Sequence, residues 1–264
     1  MKLWKKIVIF ALIFLVIAGG VSSILVFQSK GYFAPGNDEQ YSVEQTRVMP
    51  DSAMTGKTIV FLGSSVTQGS ASKGESFVEY LEKRDGIIPI KEAVPGTTLV
   101  DKGKKSYIKR LMRLNREMKV DAFVCQLSTN DATKKMPLGE ISGSFNLDEF
   151  DTSTVAGAIE YIICYAQNIW ECPVAFYTNT KYNSTRYGEM VELLKEIAEK
   201  WDIYVINMWD DEIMSSVPKA DRELYMVDSI HPSRAGYQLW WTPRFEVYLK
   251  AKLDDNYYVQ KKDN

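Results

Sequence analysis

The sequence predicts a three-layer α/β/α fold, in which a five-stranded parallel sheet of order 2-1-3-4-5 lies between helices and follows an N-terminal transmembrane helix. Three observations lead there. Short apolar runs alternate with stretches of helical periodicity five times along the chain. The runs are continuously apolar, as strands buried on both faces are. Residues 7–27 form a 21-residue stretch without a charged side chain, close to the roughly 20 helical residues that span a bilayer's hydrocarbon core.

The first element is that apolar stretch. Lys2, Lys5 and Lys6 precede it. Their charge is expected to stay cytoplasmic, which puts the rest of the chain outside the cell. A cleaved signal peptide would carry an apolar region of only about 7–15 residues, so an uncleaved anchor is expected. Residues 1–28 are read as a lysine stub and anchor, 29–54 as a polar extracellular tether, 55–254 as the globular domain and 255–264 as a polar tail.

Strands are expected at 58–64, 87–94, 121–127, 173–177 and 203–208. Helices are expected at 75–84, 105–118, 154–170, 187–201 and 234–253, the last kinked or broken at Pro243. The helix at 105–118 places Ile108, Leu111, Met112 and Met118 on one side and Lys109, Arg110, Arg113 and Arg116 on a solvated side. Residues 133–151 and 209–227 lack a period and read as long loops. Right-handed crossovers favour the flavodoxin-like strand order given above. In such sheets ligands sit at the carboxyl ends of the strands. Gly63-Ser64-Ser65, Gly96 and Ser128–Asp131 all follow strand ends and are expected to converge on one edge.

Composition excludes several functions. With 45% hydrophobic and 25% charged residues the chain is ordinary globular material, and its net charge of −2 gives no basic surplus for nucleic acid. Three cysteines, Cys125, Cys164 and Cys172, lack metal-ligand spacing. Cys125 sits in an apolar run and reads as a buried thiol. One histidine in the whole chain rules out a zinc centre built on two or three His ligands.

The stretch TIVFLGSSVTQG, residues 58–69, is an apolar strand closing in a hydroxyl-bearing turn. It suits a nucleophile, a phosphate cradle or a plain tight turn. A phosphate-binding loop needs Lys where Gln68 stands, and a Gly-x-Ser-x-Gly elbow needs Gly where Thr67 stands. Asp228 precedes the single histidine, His231, by three residues in a turn-forming stretch. At that spacing the carboxylate can accept the imidazole Nδ1–H and leave the other nitrogen free to take a hydroxyl proton. A plain cap or turn role is the alternative. Ser65 offers a hydroxyl and its own N–H, Gly96 an unshielded N–H, and Asn130 a side-chain amide for a developing oxyanion. Trp209, Trp240 and Trp241 read as core aromatics rather than a sugar platform.

In this arrangement the chain resembles the SGNH (GDSL-type) hydrolase family. Gly63-Ser64-Ser65 stands for Gly-Asp-Ser, Gly96 for the second block's glycine, Ser128-Thr129-Asn130-Asp131 for Gly-x-Asn-Asp, and Asp228 with His231 for Asp-x-x-His. Ser64 and Ser128 depart from the pattern. The resemblance covers about residues 56–252. It implies a serine esterase that needs no cofactor and no metal, with Ser65, His231 and Asp228 catalytic and Ser65, Gly96 and Asn130 binding the oxyanion. The substrate would be an acyl ester, acetyl among them, on cell-envelope polysaccharide, lipid or a small molecule. The same site could run as an O-acyltransferase. A non-catalytic module presenting 133–151 and 209–227 to a glycan or protein is the alternative from another class.

Overall fold

A computed structural model of the chain describes residues 31–253. The predicted span at 7–27 lies outside the described residues, as does the polar tail. Among the described residues no helix is long and apolar enough to cross a membrane.

The sheet is five-stranded, parallel and ordered β2-β1-β3-β4-β5, as expected. The strands are β1 (Thr58–Gly63), β2 (Ile88–Ala93), β3 (Ala122–Gln126), β4 (Val174–Tyr177) and β5 (Tyr204–Ile206). β1, β3 and β4 are buried along nearly their whole length, because helices cover both faces. One face packs Val60, Leu62, Phe123 and Phe176 against the helices Val155–Trp170 and Thr185–Trp201. The other packs Phe61, Val124 and Tyr177 against Phe77–Asp85 and the C-terminal helix Thr242–Leu253. There Phe77 stacks on Phe245 at 3.8 Å and meets Tyr177 edge-on at 5.2 Å, directly beneath the turn that follows β1. Trp209, Trp240 and Trp241 are buried, as is Cys125.

Helix ends carry their expected chemistry. Ser76 and Glu79 close a reciprocal capping box on Phe77–Asp85. Thr154 and Ser184 cap the two long helices. The C-terminal helix is not broken at Pro243. A π-helical turn at Tyr237–Trp241 precedes it. In that turn the Thr242 N–H reaches back to the Tyr237 carbonyl, which widens the helix just where the proline ring would clash with an ordinary α-helical carbonyl.

Three expectations are corrected. The helix at 105–118 is one short turn, Tyr107–Leu111. Beyond it Asn115 accepts from the Glu117 N–H in a local turn, an alternative to helical bonding that such side chains offer. Its basic side is not all solvated, since Arg110 is only 3% exposed. The loop at 209–227 contains two short helices, Glu212–Ser215 and Lys219–Tyr225. The loop at 133–151 is a loop as expected, with only the short turn Leu147–Glu149 in it, and it is pinned down: Lys200 donates to the carbonyls of Ser142 and Ser144, and Arg186 to that of Met136. Finally, residues 31–54, read as tether, lie on the domain. Met54 is fully buried in the core, Tyr80 donates to the Tyr41 carbonyl and the Val43 N–H to Glu75.

Candidate active site

Gly63 ends β1 and Ser65 opens the helical turn Ser65–Gln68. The turn folds so tightly onto the strand end that a Cβ at Gly63 would lie 1.7 Å from Thr67 Oγ1. Ser65 is the first helical residue, so its N–H has no partner within the turn. Gly69 closes the turn in the left-handed region at φ 77°. Tyr237 donates to the Val66 carbonyl at 2.6 Å, tying the turn to the C-terminal helix.

The two adjacent hydroxyls face different environments. Ser64 is fully buried. Its N–H and Oγ donate to Gln126 Oε1 at 2.8 and 3.2 Å, and Thr67 Oγ1 donates to the same oxygen at 2.9 Å. Ser65 instead meets His231, with Oγ 2.9 Å from Nε2. On the other side of the ring, Nδ1 lies 2.8 Å from Asp228 Oδ2 and 3.0 Å from Oδ1. Asp228 Oδ1 also accepts the N–H groups of Ile230 and His231, at 2.7 and 2.8 Å. Burial pushes the Asp228 carboxyl up, but these hydrogen bonds and the imidazole outweigh it, and the group lies below the ordinary carboxylate value.

The loop bearing this pair is fixed from several sides. Met226 pairs with Pro232 in a short antiparallel bridge, and the Val227 N–H donates to the His231 carbonyl. Asn179, just past β4, donates to the Ile230 carbonyl at 3.1 Å. Sequence reasoning missed Asn179, whose only signal is its place beyond the end of β4, on the sheet edge that carries Ser65.

Gly96 lies on the loop past β2 and Asn130 in the short helix Thr129–Thr133 past β3, the two joined through Thr97. Asn130 Nδ2 and Ser128 Oγ both donate to the Thr97 carbonyl, at 3.0 and 3.2 Å. An amide has two donor hydrogens, so Asn130 keeps one beyond the Thr97 bond. Gly96 is exposed at φ 76° with open space around its Cα, and its carbonyl accepts from Lys134. Ser128 also caps the turn, accepting from the Asn130 N–H. Replacing Asn130 by Ala is expected to lower ester turnover by about 10²–10³, the usual cost of one oxyanion donor. Steady-state kinetics on the purified variant check this.

Arg110 is a second residue that sequence reasoning missed. Its guanidinium donates to the carbonyls of Gly63 (2.8 Å), Glu92 (2.6 Å) and Lys105 (3.1 Å), and to Thr97 Oγ1 (3.1 Å). It therefore ties the ends of β1 and β2 to the Gly96 loop. Arg110→Leu leaves these acceptors without their donor. Urea unfolding is expected to show a loss of roughly 3 kcal/mol. Arg110→Lys is expected to recover only part, because one ammonium cannot reproduce the planar fork.

Asp131 is buried and accepts the N–H groups of Leu99 and Val100, at 2.8 and 3.1 Å. Burial raises its pKa to about 6 from the ordinary 3.8. The folded chain thus holds a proton that the unfolded chain has already released. This contribution to stability is whole below about 4 and gone above about 6, a change of about 3 kcal/mol. Denaturation midpoints across that range are expected to fall more steeply with rising pH in the native chain than in Asp131→Asn.

His231 and Asp228 line an open groove of about 780 Å³ with Gln68, Lys73, Pro95 and Tyr32. Among the described residues no group of His, Cys, Asp and Glu is arranged to hold a metal ion.

A model of the GDSL-like lipase/acylhydrolase family matches residues 61–239. No curated protein matches the chain. Among solved structures, a Lactobacillus plantarum protein is 17% identical with a TM-score of 0.63, covering 75% of this chain and 98% of its own. A family two carbohydrate esterase from Clostridium thermocellum, solved with cellohexaose, is 16% identical with a TM-score of 0.52, over 77% of this chain and 66% of its own. An acetyl xylan esterase is 14% identical with a TM-score of 0.51, over 73% of this chain and 98% of its own. At these identities the likeness is one of fold.

Proposed function

The chain belongs to the GDSL-like lipase/acylhydrolase family, and on that premise we propose that it is a membrane-anchored extracellular serine esterase acting on short acyl esters of carbohydrate. The observation that carries the chemistry is the continuous hydrogen-bonded path Ser65 Oγ–His231 Nε2, His231 Nδ1–Asp228. Ser65 Oγ attacks the ester carbonyl while His231 takes its proton, with Asp228 fixing the tautomer. The N–H groups of Ser65 and Gly96 and the Asn130 amide receive the oxyanion. The alcohol leaves with the proton from His231. A water molecule, deprotonated by His231, then releases the acid and restores Ser65.

The acyl group and the alcohol are read from weaker support. The open, partly polar groove suits a hydrated sugar better than a long acyl chain. The carbohydrate esterase and acetyl xylan esterase folds point the same way. The anchor rests on the apolar run at 7–27 and the lysines before it. The test is a panel of p-nitrophenyl esters of rising chain length beside an O-acetylated oligosaccharide. Turnover is expected for acetyl and to fall with length. Folded protein that hydrolyses none of them would overturn the reading.

A further inference from the structure

Gly31, the first described residue, sits at the lip of the groove that Asp228 and His231 line. Gly31 occupies a slot between Ala71 and Val227. It adopts φ 70°, and a Cβ there would lie 2.6 Å from the Ala71 carbonyl oxygen and 2.8 Å from a Val227 methyl. Val227 is the neighbour of Asp228. Asn37, 1% exposed, locks the slot: Nδ2 donates to the carbonyls of Gly31 and Ala71 at 2.6 and 2.7 Å, and Oδ1 accepts from the Arg234 N–H at 2.8 Å. The next residue, Tyr32, lines the groove with Asp228 and His231. Tyr32 is 43% and Phe33 68% exposed, so two aromatic side chains stand in solvent at the lip.

We propose that this lip is a bilayer-facing surface, with the lipid headgroup layer as its partner, and that the groove takes esters carried on membrane-anchored amphiphiles. The proposal rests on the anchored-esterase reading above. Four residue steps separate Phe27, the end of the apolar run, from Gly31. Whatever their conformation, they reach at most about 14 Å. The headgroup layer outside the hydrocarbon core takes up about 5–8 Å of that. A domain of about 200 residues has a radius of gyration of about 16 Å, larger than the tether is long. The lip therefore cannot turn away from the membrane. Aromatic rings are favoured at that depth, where an apolar body meets a wet surface. An ester seated in the same bilayer reaches the groove by lateral diffusion at high effective concentration, whereas a free polymer has to enter between protein and lipid.

The test uses the full-length chain in vesicles of phosphatidylcholine and phosphatidylglycerol. The native cysteines are all buried, so a fluorophore can be placed on Phe33→Cys or, separately, on Lys119→Cys. Lys119 precedes β3 at the opposite edge of the sheet, and its side chain is 88% exposed. Headgroup-nitroxide lipids are expected to quench the label at 33 severalfold more than the label at 119. Equal quenching, or stronger quenching at 119, overturns the proposal. In a second arm, about 20 Gly and Ser residues, spanning roughly 25 Å, are inserted between Lys30 and Gly31. Hydrolysis of an acetylated alkyl glucoside seated in the vesicle is expected to fall about fivefold or more, with hydrolysis of the same acetylated sugar lacking its alkyl chain unchanged. Unchanged rates on both overturn it. Failure of the underlying reading looks different: the unmodified protein then hydrolyses neither ester, or alkaline carbonate strips it from the vesicles.

Discussion

Ser65→Ala and His231→Ala are each expected to lower p-nitrophenyl acetate turnover by about 10⁴-fold or more, to the residue that oxyanion binding alone supplies. The two groups act as one unit. A serine hydroxyl is a weak nucleophile near neutral pH without a base, and Ser65 Oγ has His231 Nε2 at 2.9 Å. The double variant is therefore expected to be no worse than either single one. Ser64→Ala is the internal control. Its hydroxyl is buried against Gln126, so its loss is expected to cost about 1 kcal/mol of stability and to leave the nucleophile in place. Loss of turnover in Ser64→Ala with retention in Ser65→Ala would reverse the assignment. Circular dichroism and unfolding midpoints separate a lost nucleophile from a lost fold.

Asp228→Asn is expected to cost about 10²–10⁴ in turnover, the cost of presenting the wrong tautomer. The amide can still accept from the N–H groups of Ile230 and His231, so the turn persists. Its NH₂ would face His231 Nδ1 and favour the tautomer that carries its proton on Nε2, against Ser65. The Asp228 side chain is 50% exposed, so water can share the task. That places the expected loss at the low end of the range. The carboxylate also carries a pH signature. Its folded pKa lies below the ordinary 3.8, so its contribution to stability is present above about 4 and is lost as pH falls through the lowered folded value. This runs opposite to Asp131, whose contribution is lost as pH rises. The difference between the two single-Asn variants is expected to show as slopes of opposite sign in stability against pH.

The sheet was legible because β1, β3 and β4 are short apolar runs buried on both faces, while the edge strand β2, IPIKEA, with Lys91 and Glu92 only partly buried, was legible mainly from the turn residues Pro95-Gly96 that follow it. Ser65, Asp228 and His231 were legible because they stand in the first and last of four spaced motif blocks, and the structure joins those two blocks through the Ser65–His231 hydrogen bond. The supports around them were not. Arg110 read as part of a solvated basic face, because periodicity weighs a charge as exposed. Its burial depends on three carbonyls brought together from 63, 92 and 105 only by the fold. Asn37 sits in a polar, aperiodic stretch that reads as tether. Its order comes from satisfied buried hydrogen bonds rather than from apolar burial, and such partners leave no pattern along the chain. The early stop of the helix after Leu111 left no mark in the periodicity, because the chain goes on in i,i+3 turns, with the Arg113 N–H on Arg110 and the Leu114 N–H on Leu111. The long helix at 234–253 persisted past Pro243 because a π turn absorbed the ring.

Labelling with a fluorophosphonate, followed by intact mass and peptide mapping, tests the central claim most directly. A hydroxyl activated by His231 is expected to take up one phosphonyl group, on the peptide containing Ser65, with no adduct in Ser65→Ala and slow labelling in His231→Ala. A folded chain that stays unlabelled, or that carries its adduct on Ser64, would contradict the account.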